Sequence, residues 1–335
     1  MLRGMQPEVV AERVEVAYGL RLGPLTEVAG GADSAATLWR GVAADGAAYA
    51  VKVSRGRLDT GLAVTAELAA AGVVGVPAPL TTVEGRLWTE LAGGQLSVVP
   101  WLAGRPAAGG GLDGDGWQAF GALLAGVHGA AVPVGLRELL PVEDYRPVAA
   151  PTVRTLADRL RADPVPTDDV ARELVGLWRG AAHRIAALPG AAEELGARLR
   201  AAPAPLVLCH GDAHAYNLLV AEAGALWLVD WDGAVLAPRE RDLMFVVEGV
   251  LADALVTPAE QASFFAGYGD STVDPTHLAY YRCAWALEDL ANFATEILDD
   301  PTRSKAQRAQ ALRYFRSLLT PTGIVTLAER ALRAR

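Results

Sequence analysis

The stretch CHGDAHAYNLLV (Cys209–Val220), followed closely by LWLVDWD (Leu226–Asp232), decides how this chain is read. It sets a carboxylate, Asp212, five residues before an amide, Asn217, and a second carboxylate, Asp230, thirteen residues further on. Metal-assisted phosphoryl transfer needs these three parts. One acid accepts or orients the attacking hydroxyl, while an amide and a second acid hold Mg²⁺ against nucleotide phosphates. The flanks LVLC (Leu206–Cys209) and LWLVD (Leu226–Asp230) are short apolar runs that read as strands ending at the polar residues. A loop between paired strands aims Asp212, Asn217 and Asp230 at one point. Asp, His and Asn also favour plain turns. The coincidence of HGD, the Asn offset, two flanking strands and DWD favours chemistry.

Working upstream, AYAVKVS (Ala48–Ser54) reads as a strand carrying Lys52. Of 30 Lys and Arg residues only Lys52 and Lys305 are lysines, so a chain that otherwise uses Arg keeps a compact ammonium here. In the protein-kinase template a strand lysine contacts the nucleotide phosphates and pairs with a helical Glu. Glu67 is the expected partner, within the helix-forming stretch TGLAVTAELAAAG (Thr60–Gly72) that ends at a glycine. Before the lysine, residues 25–54 read as strand, Gly-rich turn, strand, AADG turn, strand. Gly30 and Gly31 let the backbone approach phosphates, and Ser34 can bond a phosphate oxygen. The GxGxxG spacing is absent. Residues 76–107 supply two further strands around the Glu84-Gly85 turn. SVVPWLAG (Ser97–Gly104) then falls where a hinge would read the adenine edge, through Pro100, Trp101 and Leu102.

GGGLDGDG (Gly109–Gly116) reads as a polar, flexible connection. From Trp117 the apolar spacing is three and four, predicting helices from there and over 152–161, 168–187 and 191–201. Past the catalytic hairpin, helices are expected around 241–252, 258–267, 275–298 and 304–319. The expected fold class is therefore α+β, a two-lobed protein-kinase-like fold. Residues 1–105 form a β-rich nucleotide-binding lobe with the hinge at its end, and 106–335 a mainly helical lobe with the catalytic loop and substrate pocket.

Composition bounds the partners. With 335 residues, 52% hydrophobic and 21% charged, the chain can bury a sizeable core. The formal charge of −9 argues against nucleic acid and suits a cationic substrate, though solubility alone accounts for such a charge. No apolar run is long enough for a membrane span, and the N-terminal residues have no signal-type apolar core. Cys209 and Cys283 sit in apolar settings without metal-ligand spacing, as expected of small buried residues in a cytoplasmic protein. Monomer and homodimer stay open.

On HGDAHAYNLLV and DWDGAVLAPRERDLMFV (Asp230–Val246) the chain resembles the aminoglycoside phosphotransferase family, kinase-like enzymes with HGD where protein kinases carry His-Arg-Asp. Within it these motifs look like the spectinomycin phosphotransferase branch, and GGADS resembles that branch's phosphate-covering segment. The resemblance implies ATP or GTP with Mg²⁺, Asp212 as catalytic residue, Asn217 and Asp230 as metal ligands, and His210 as a scaffold. His214, Tyr216 and Asp232 are candidate substrate contacts, with packing or support of the site as the alternative. On the late helix YYRCAWALEDLANFATEIL (Tyr280–Leu298), Trp285, Glu288, Asp289 and Asn292 recur at helical spacings. In that branch a similarly placed helix lines the substrate pocket, and an aromatic, acidic face suits protonated amines. The expected substrate is a hydroxylated, cationic aminocyclitol or aminoglycoside, spectinomycin-like first. Other acceptors stay open (an amino sugar, homoserine, choline, methylthioribose, a macrolide), as does a nucleotide-binding pseudokinase.

Overall fold

A computed structural model describes residues 5–28, 36–56, 58–108, 111–162, 166–202, 204–222 and 224–334. Gly30, Gly31 and Ser34, expected at the phosphates, lie outside the described residues. In chain order the elements begin with α1 (Pro7–Tyr18), β1 (Thr26–Glu27), β2 (Ala36–Val42), β3 (Ala48–Ser54) and α2 (Asp59–Ala70). Next come β4 (Thr89–Leu91), β5 (Gly94–Pro100), β6 (Arg105–Pro106), α3 (Gly114–Gly129), α4 (Val134–Leu139), α5 (Ala150–Ala162), α6 (Asp169–Gly180) and α7 (Ala182–Ala201). The site segment holds β7 (Val207–Cys209), β8 (Leu218–Val220), β9 (Leu226–Leu228), a 3₁₀ turn (Trp231–Gly233) and β10 (Val235–Ala237). The helices α8 (Glu240–Leu243), α9 (Pro258–Tyr268), α10 (Pro275–Leu298), α11 (Lys305–Leu318) and α12 (Ile324–Arg333) follow.

Two compact units emerge, Met1–Pro141 with Leu208–Leu236, and Val142–Val207 with Ala237–Arg335. The segment Leu208–Leu236, which carries Asp212 and Asp230, falls in the first unit and not with the helices after residue 105. Within it the two runs expected to pair with each other do not: β7 pairs with β10, and β9 with β8.

The first unit is built on a five-stranded sheet, β1-β2-β3-β5-β4, in which each neighbouring pair is antiparallel. Alternation along the strands puts Trp39, Val51, Val53, Leu96 and Val98 on one face, packed with Val10 and Val14 of α1. Truncating Trp39, 1% exposed, to alanine would cost about 3–5 kcal/mol. The turn joining the last two strands is Ala92-Gly93, not Glu84-Gly85. Both residues are left-handed, φ 50° and 76°, which a two-residue hairpin with primed turn geometry requires. Thr82 to Arg86 also turns, held by Gly85 N–H to Thr82 O, but no strands flank it. Gly109–Gly116 is not wholly a linker, because α3 starts inside it. Asp113 caps that helix, its side chain accepting the Gly116 N–H at 2.8 Å.

The second unit is helical, and the 24-residue α10 is its spine, packed on α5, α7, α8, α11 and α12. Asp274 starts α10 by accepting the N–H groups of Thr276 and His277, with Pro275 at the first helical position. Three helix boundaries differ from the periodicity reading. The break expected at Leu188-Pro189 falls instead at Ala181, and Pro189 is accommodated inside α7. The helix expected over 241–252 ends at Leu243. Glu248 and Gly249 both take positive φ, 61° and 71°, which no right-handed helix accepts. Beyond 319, α12 buries Ile324, Leu327, Ala328 and Ala331, an i, i+3, i+4, i+7 stripe that the reading passed over. None of the described helices is long and apolar enough to cross a membrane.

Candidate active site

The site lies in the first unit, where the β8–β9 hairpin and the loop that follows β7 are tied together by local hydrogen bonds. The β8–β9 hairpin pairs Leu218 with Leu228, and Val229 N–H donates to Asn217 O at 2.9 Å, so Asn217 and Asp230 sit just beyond its open end. Asp230 takes a left-handed φ of 66°, unusual for a non-glycine residue and a form of strain found at functional turns. Gly211, at φ 83°, permits a close approach as well as a special backbone. A Cβ there would meet Gly233 O at 2.1 Å.

His210, fully buried, ties the two segments together. Its Nδ1 accepts the Asp212 N–H at 3.2 Å and its Nε2 lies 3.0 Å from Val229 O. A carbonyl can only accept, so the proton is on Nε2, and the ring is a scaffold. Trp231 packs edge-on to it at 4.6 Å and donates its own N–H to Leu228 O at 2.8 Å.

Asp212 is held asymmetrically. Asn217 Nδ2 donates to Asp212 Oδ2 at 3.0 Å and to the Asp212 carbonyl at 2.9 Å. Both partners are acceptors, which fixes the amide orientation and leaves Asn217 Oδ1 as a free-facing hard oxygen. Asp212 Oδ1 is shielded and accepts no hydrogen bond among the described residues, with His214 Nε2 at 3.3 Å. One oxygen is thus held by Asn217, and the other receives no donor among the described residues. His214 meets Tyr216 edge-on at 6.1 Å, and Tyr216 is 46% exposed.

Lys52, on β3, reaches the 3₁₀ turn: its Nζ lies 2.6 Å from Asp232 Oδ2 and 3.8 Å from Asp230 Oδ1. The expected Lys52–Glu67 pairing is not what forms, because Glu67 lies on the exposed side of α2. Asp232 takes its place, a partner that the DWD spacing showed without assigning it to the lysine. The Asn217 amide oxygen and the Asp230 carboxylate make a hard-oxygen donor set of the kind Mg²⁺ prefers.

At the expected hinge the register is informative. Leu80 N–H takes the Val98 carbonyl on the side of β5 away from β3, and Trp101 N–H donates back to Ala48 O on β3 at 2.9 Å. Alternation therefore turns the Pro100 carbonyl toward the side away from β3, where β4 covers only Gly94–Leu96. Trp101 is structural at its backbone, and its ring lies under the Arg40 guanidinium, 5.6 Å away.

In the second unit the α10 residues divide. Trp285 is packed, with Arg241 over its ring at 5.5 Å and Phe245 edge-on at 4.9 Å. Glu288 and Asn292 line an open cleft of about 530 Å³ with Thr152, Glu296 and Arg303, while Asp289 is half-buried and not part of that lining. Arg303 pairs with Glu296 and Asp300 at 3.4 and 3.3 Å, leaving the cleft net acidic. Arg239, in the PRERD stretch (Pro238–Asp242), is a brace: it bonds Asp270 at 2.8 Å and Thr272 O at 2.6 Å.

Asp212, Asn217, Asp230 and Lys52, gathered in the unit that carries the antiparallel sheet, are the residue types that kinase-like phosphoryl transfer uses. The profile of the phosphotransferase enzyme family (APH) matches residues 24–285, and the chain belongs to that family. Solved structures agree in fold. Spectinomycin phosphotransferase APH(9)-Ia, in complex with ADP and spectinomycin, is 27% identical with a TM-score of 0.89, covering 99% of this chain and 100% of that one. The amicoumacin kinase hAmiN, bound to AMP-PNP, Ca²⁺ and amicoumacin, is 17% identical (TM-score 0.62, 96% and 93% covered). Macrolide 2'-phosphotransferase MphH from Brachybacterium faecium is 18% identical (TM-score 0.53, 92% and 97% covered). No curated protein matches the chain.

Proposed function

We propose that this chain transfers the γ-phosphoryl group of ATP to a hydroxyl of an aminocyclitol or aminoglycoside-type antibiotic, with spectinomycin or a close relative as first substrate. The observation that carries the substrate class is the end-to-end likeness, at a TM-score of 0.89, to a spectinomycin phosphotransferase holding ADP and spectinomycin. Asp212 Oδ1 accepts the hydroxyl proton or orients the hydroxyl, and in a loose transition state orientation is the larger share of its work. Asn217 Oδ1 and Asp230 would hold Mg²⁺, which would supply charge neutralisation at the transferring phosphate. Lys52 meets the non-transferred phosphates.

ATP is favoured over GTP by the edge at Pro100. Its carbonyl can accept from the exocyclic amine of adenine, whereas guanine would present its own carbonyl oxygen to another acceptor. In the second unit, Glu288 and Asn292 offer an acidic, polar cleft that suits protonated amines.

The test is nucleoside-diphosphate release with Mg²⁺-ATP across aminocyclitols, aminoglycosides, macrolides, amino sugars and small alcohols. Stimulation by a spectinomycin-like compound, lost in Asp212→Ala, is the expected result. Stimulation by another acceptor only would overturn the substrate, and undiminished turnover in Asp212→Ala would overturn the mechanism.

A further inference from the structure

The lysine that faces the phosphates is anchored on the metal-binding turn and not on the helix. Lys52 Nζ is 2.6 Å from Asp232 Oδ2 and 3.8 Å from Asp230 Oδ1, whereas Glu67 is exposed and enters no ion pair among the described residues. The geometry of α2 accounts for this. Six residues at about 100° each carry Glu67 about 240° round the helix from Gly61, the position that touches the turn. A Cβ on Gly61 would stand 3.0 Å from both the carbon and the oxygen of the Trp231 carbonyl and 3.2 Å from Asp232 Oδ1. Glycine in a helix interior costs about 1 kcal/mol relative to alanine. Here it lets α2 lie against the turn while leaving room for the Asp232 carboxylate.

We propose that Asp232, not Glu67, is the positioning residue for Lys52, so that the phosphate-binding lysine is registered to the turn carrying the metal ligand Asp230. The inference rests on the reading of Lys52 as a phosphate contact in the proposed kinase. An ammonium has three donors, so contact with Asp232 and contact with a phosphate are compatible. In the protein-kinase template the lysine depends on a helical glutamate, so helix position controls activity. In this chain the lysine follows the turn, and a change in the turn moves lysine and metal ligand together.

The two-lysine composition makes the test direct. The whole chain, free of metal and nucleotide, is trace-acetylated, and the Lys52 and Lys305 peptides are quantified by mass spectrometry. Lys305, exposed at the first position of α11, is the internal standard. Asp232→Asn is expected to raise the Lys52-to-Lys305 ratio about fivefold, the scale of a partly exposed ion pair, and Glu67→Gln to leave it within about twofold. Asp232→Ser replaces Asp232→Asn if the latter does not fold. In turnover, Asp232→Asn lowers kcat with little change in the KM for ATP, and Glu67→Gln alters neither. A wild-type ratio in Asp232→Asn, or an equal rise in Glu67→Gln, overturns the inference. Labelling needs no acceptor, so an unresponsive substrate panel would count against the kinase reading alone.

Discussion

Asn217 Nδ2 lies 3.0 Å from Asp212 Oδ2, and the same nitrogen reaches the Asp212 carbonyl at 2.9 Å. One amide nitrogen therefore holds Asp212, and in the proposed reaction the amide oxygen would serve the metal. Replacing Asn217 should injure both functions at once. Asn217→Ala is expected to lower kcat by about 10²- to 10⁴-fold, the usual scale for a displaced general base, and to raise the Mg²⁺ needed for half-maximal rate. A titration of rate against Mg²⁺ checks it. A lower kcat with unchanged Mg²⁺ dependence would remove Asn217 from the metal site and leave it as a brace.

His210 makes a different prediction, one of stability. It is fully buried, and its two nitrogens satisfy Asp212 N–H and Val229 O. His210→Ala orphans a donor and an acceptor, each costing about 1–3 kcal/mol, and opens a cavity beside Trp231. A drop in Tm of several degrees by calorimetry is expected, with loss of activity as its consequence. If His210→Ala kept the wild-type Tm and lost turnover, the imidazole would belong to the chemistry and not the scaffold.

The grouping of Asp212, Asn217 and Asp230 was legible in the sequence because its signal is local. Asn217 and Asp230 flank the β8–β9 hairpin and Asp212 lies five residues before Asn217, so strand flanks and turn residues bring them together. The Lys52 partner was not legible. Glu67 and Asp232 are both acids at reasonable places, and only the packing of Gly61 on Trp231 decides between them. At the expected hinge, which backbone groups face away from β3 depends on the β3–β5 register, a property no single strand contains. The late helix showed its period without its faces: Trp285 is occupied by Arg241, while Glu288 and Asn292 open on a cleft. Boundaries failed where the backbone turns left-handed at non-glycine residues, Ala92 and Glu248, which carry no turn signature of their own.

Two helical glycines should respond oppositely to the same change. Gly176, in α6, would place a Cβ in open space, so Gly176→Ala gains helix propensity and should raise stability by up to about 1 kcal/mol. Gly61→Ala gains the same propensity but sets its Cβ 3.0 Å from the Trp231 backbone, and overpacking of this kind costs about 1–3 kcal/mol. Chemical denaturation of the two variants side by side makes the comparison. Equal stabilisation would mean that α2 and the turn are not in the tight contact described.

Glu288 supplies a prediction about the acceptor. If its carboxylate lies near a protonated amine of the substrate, Glu288→Gln should raise the acceptor KM by about fivefold and leave the KM for ATP unchanged. The effect should shrink as salt rises, since screening weakens an exposed pair. Steady-state kinetics at two ionic strengths tests both parts. A raised KM for ATP with the acceptor KM intact would take Glu288 out of the substrate site.

The acid limb of stability should be set partly by Asp270. The Thr272 N–H, the Thr272 hydroxyl and the Arg239 guanidinium, in that order, hold its carboxyl down to about 2 from the ordinary 3.8. A folded value below the unfolded one means the stabilising contribution is present above pH 3.8 and is lost as the pH falls toward about 2. Asp274 acts in the same sense. Burial raises its carboxyl, but the N–H groups of His277 and Thr276 outweigh that and lower it overall. Asp270→Asn cannot take part in this titration. The Tm difference between the wild type and this variant should therefore be constant from neutral pH to about pH 5 and narrow steadily from pH 3.8 downward. Thermal scans across pH 7 to 2 measure it. A difference that stayed constant through that window would show that the Asp270 carboxylate gains nothing from Thr272 and Arg239 in the folded chain.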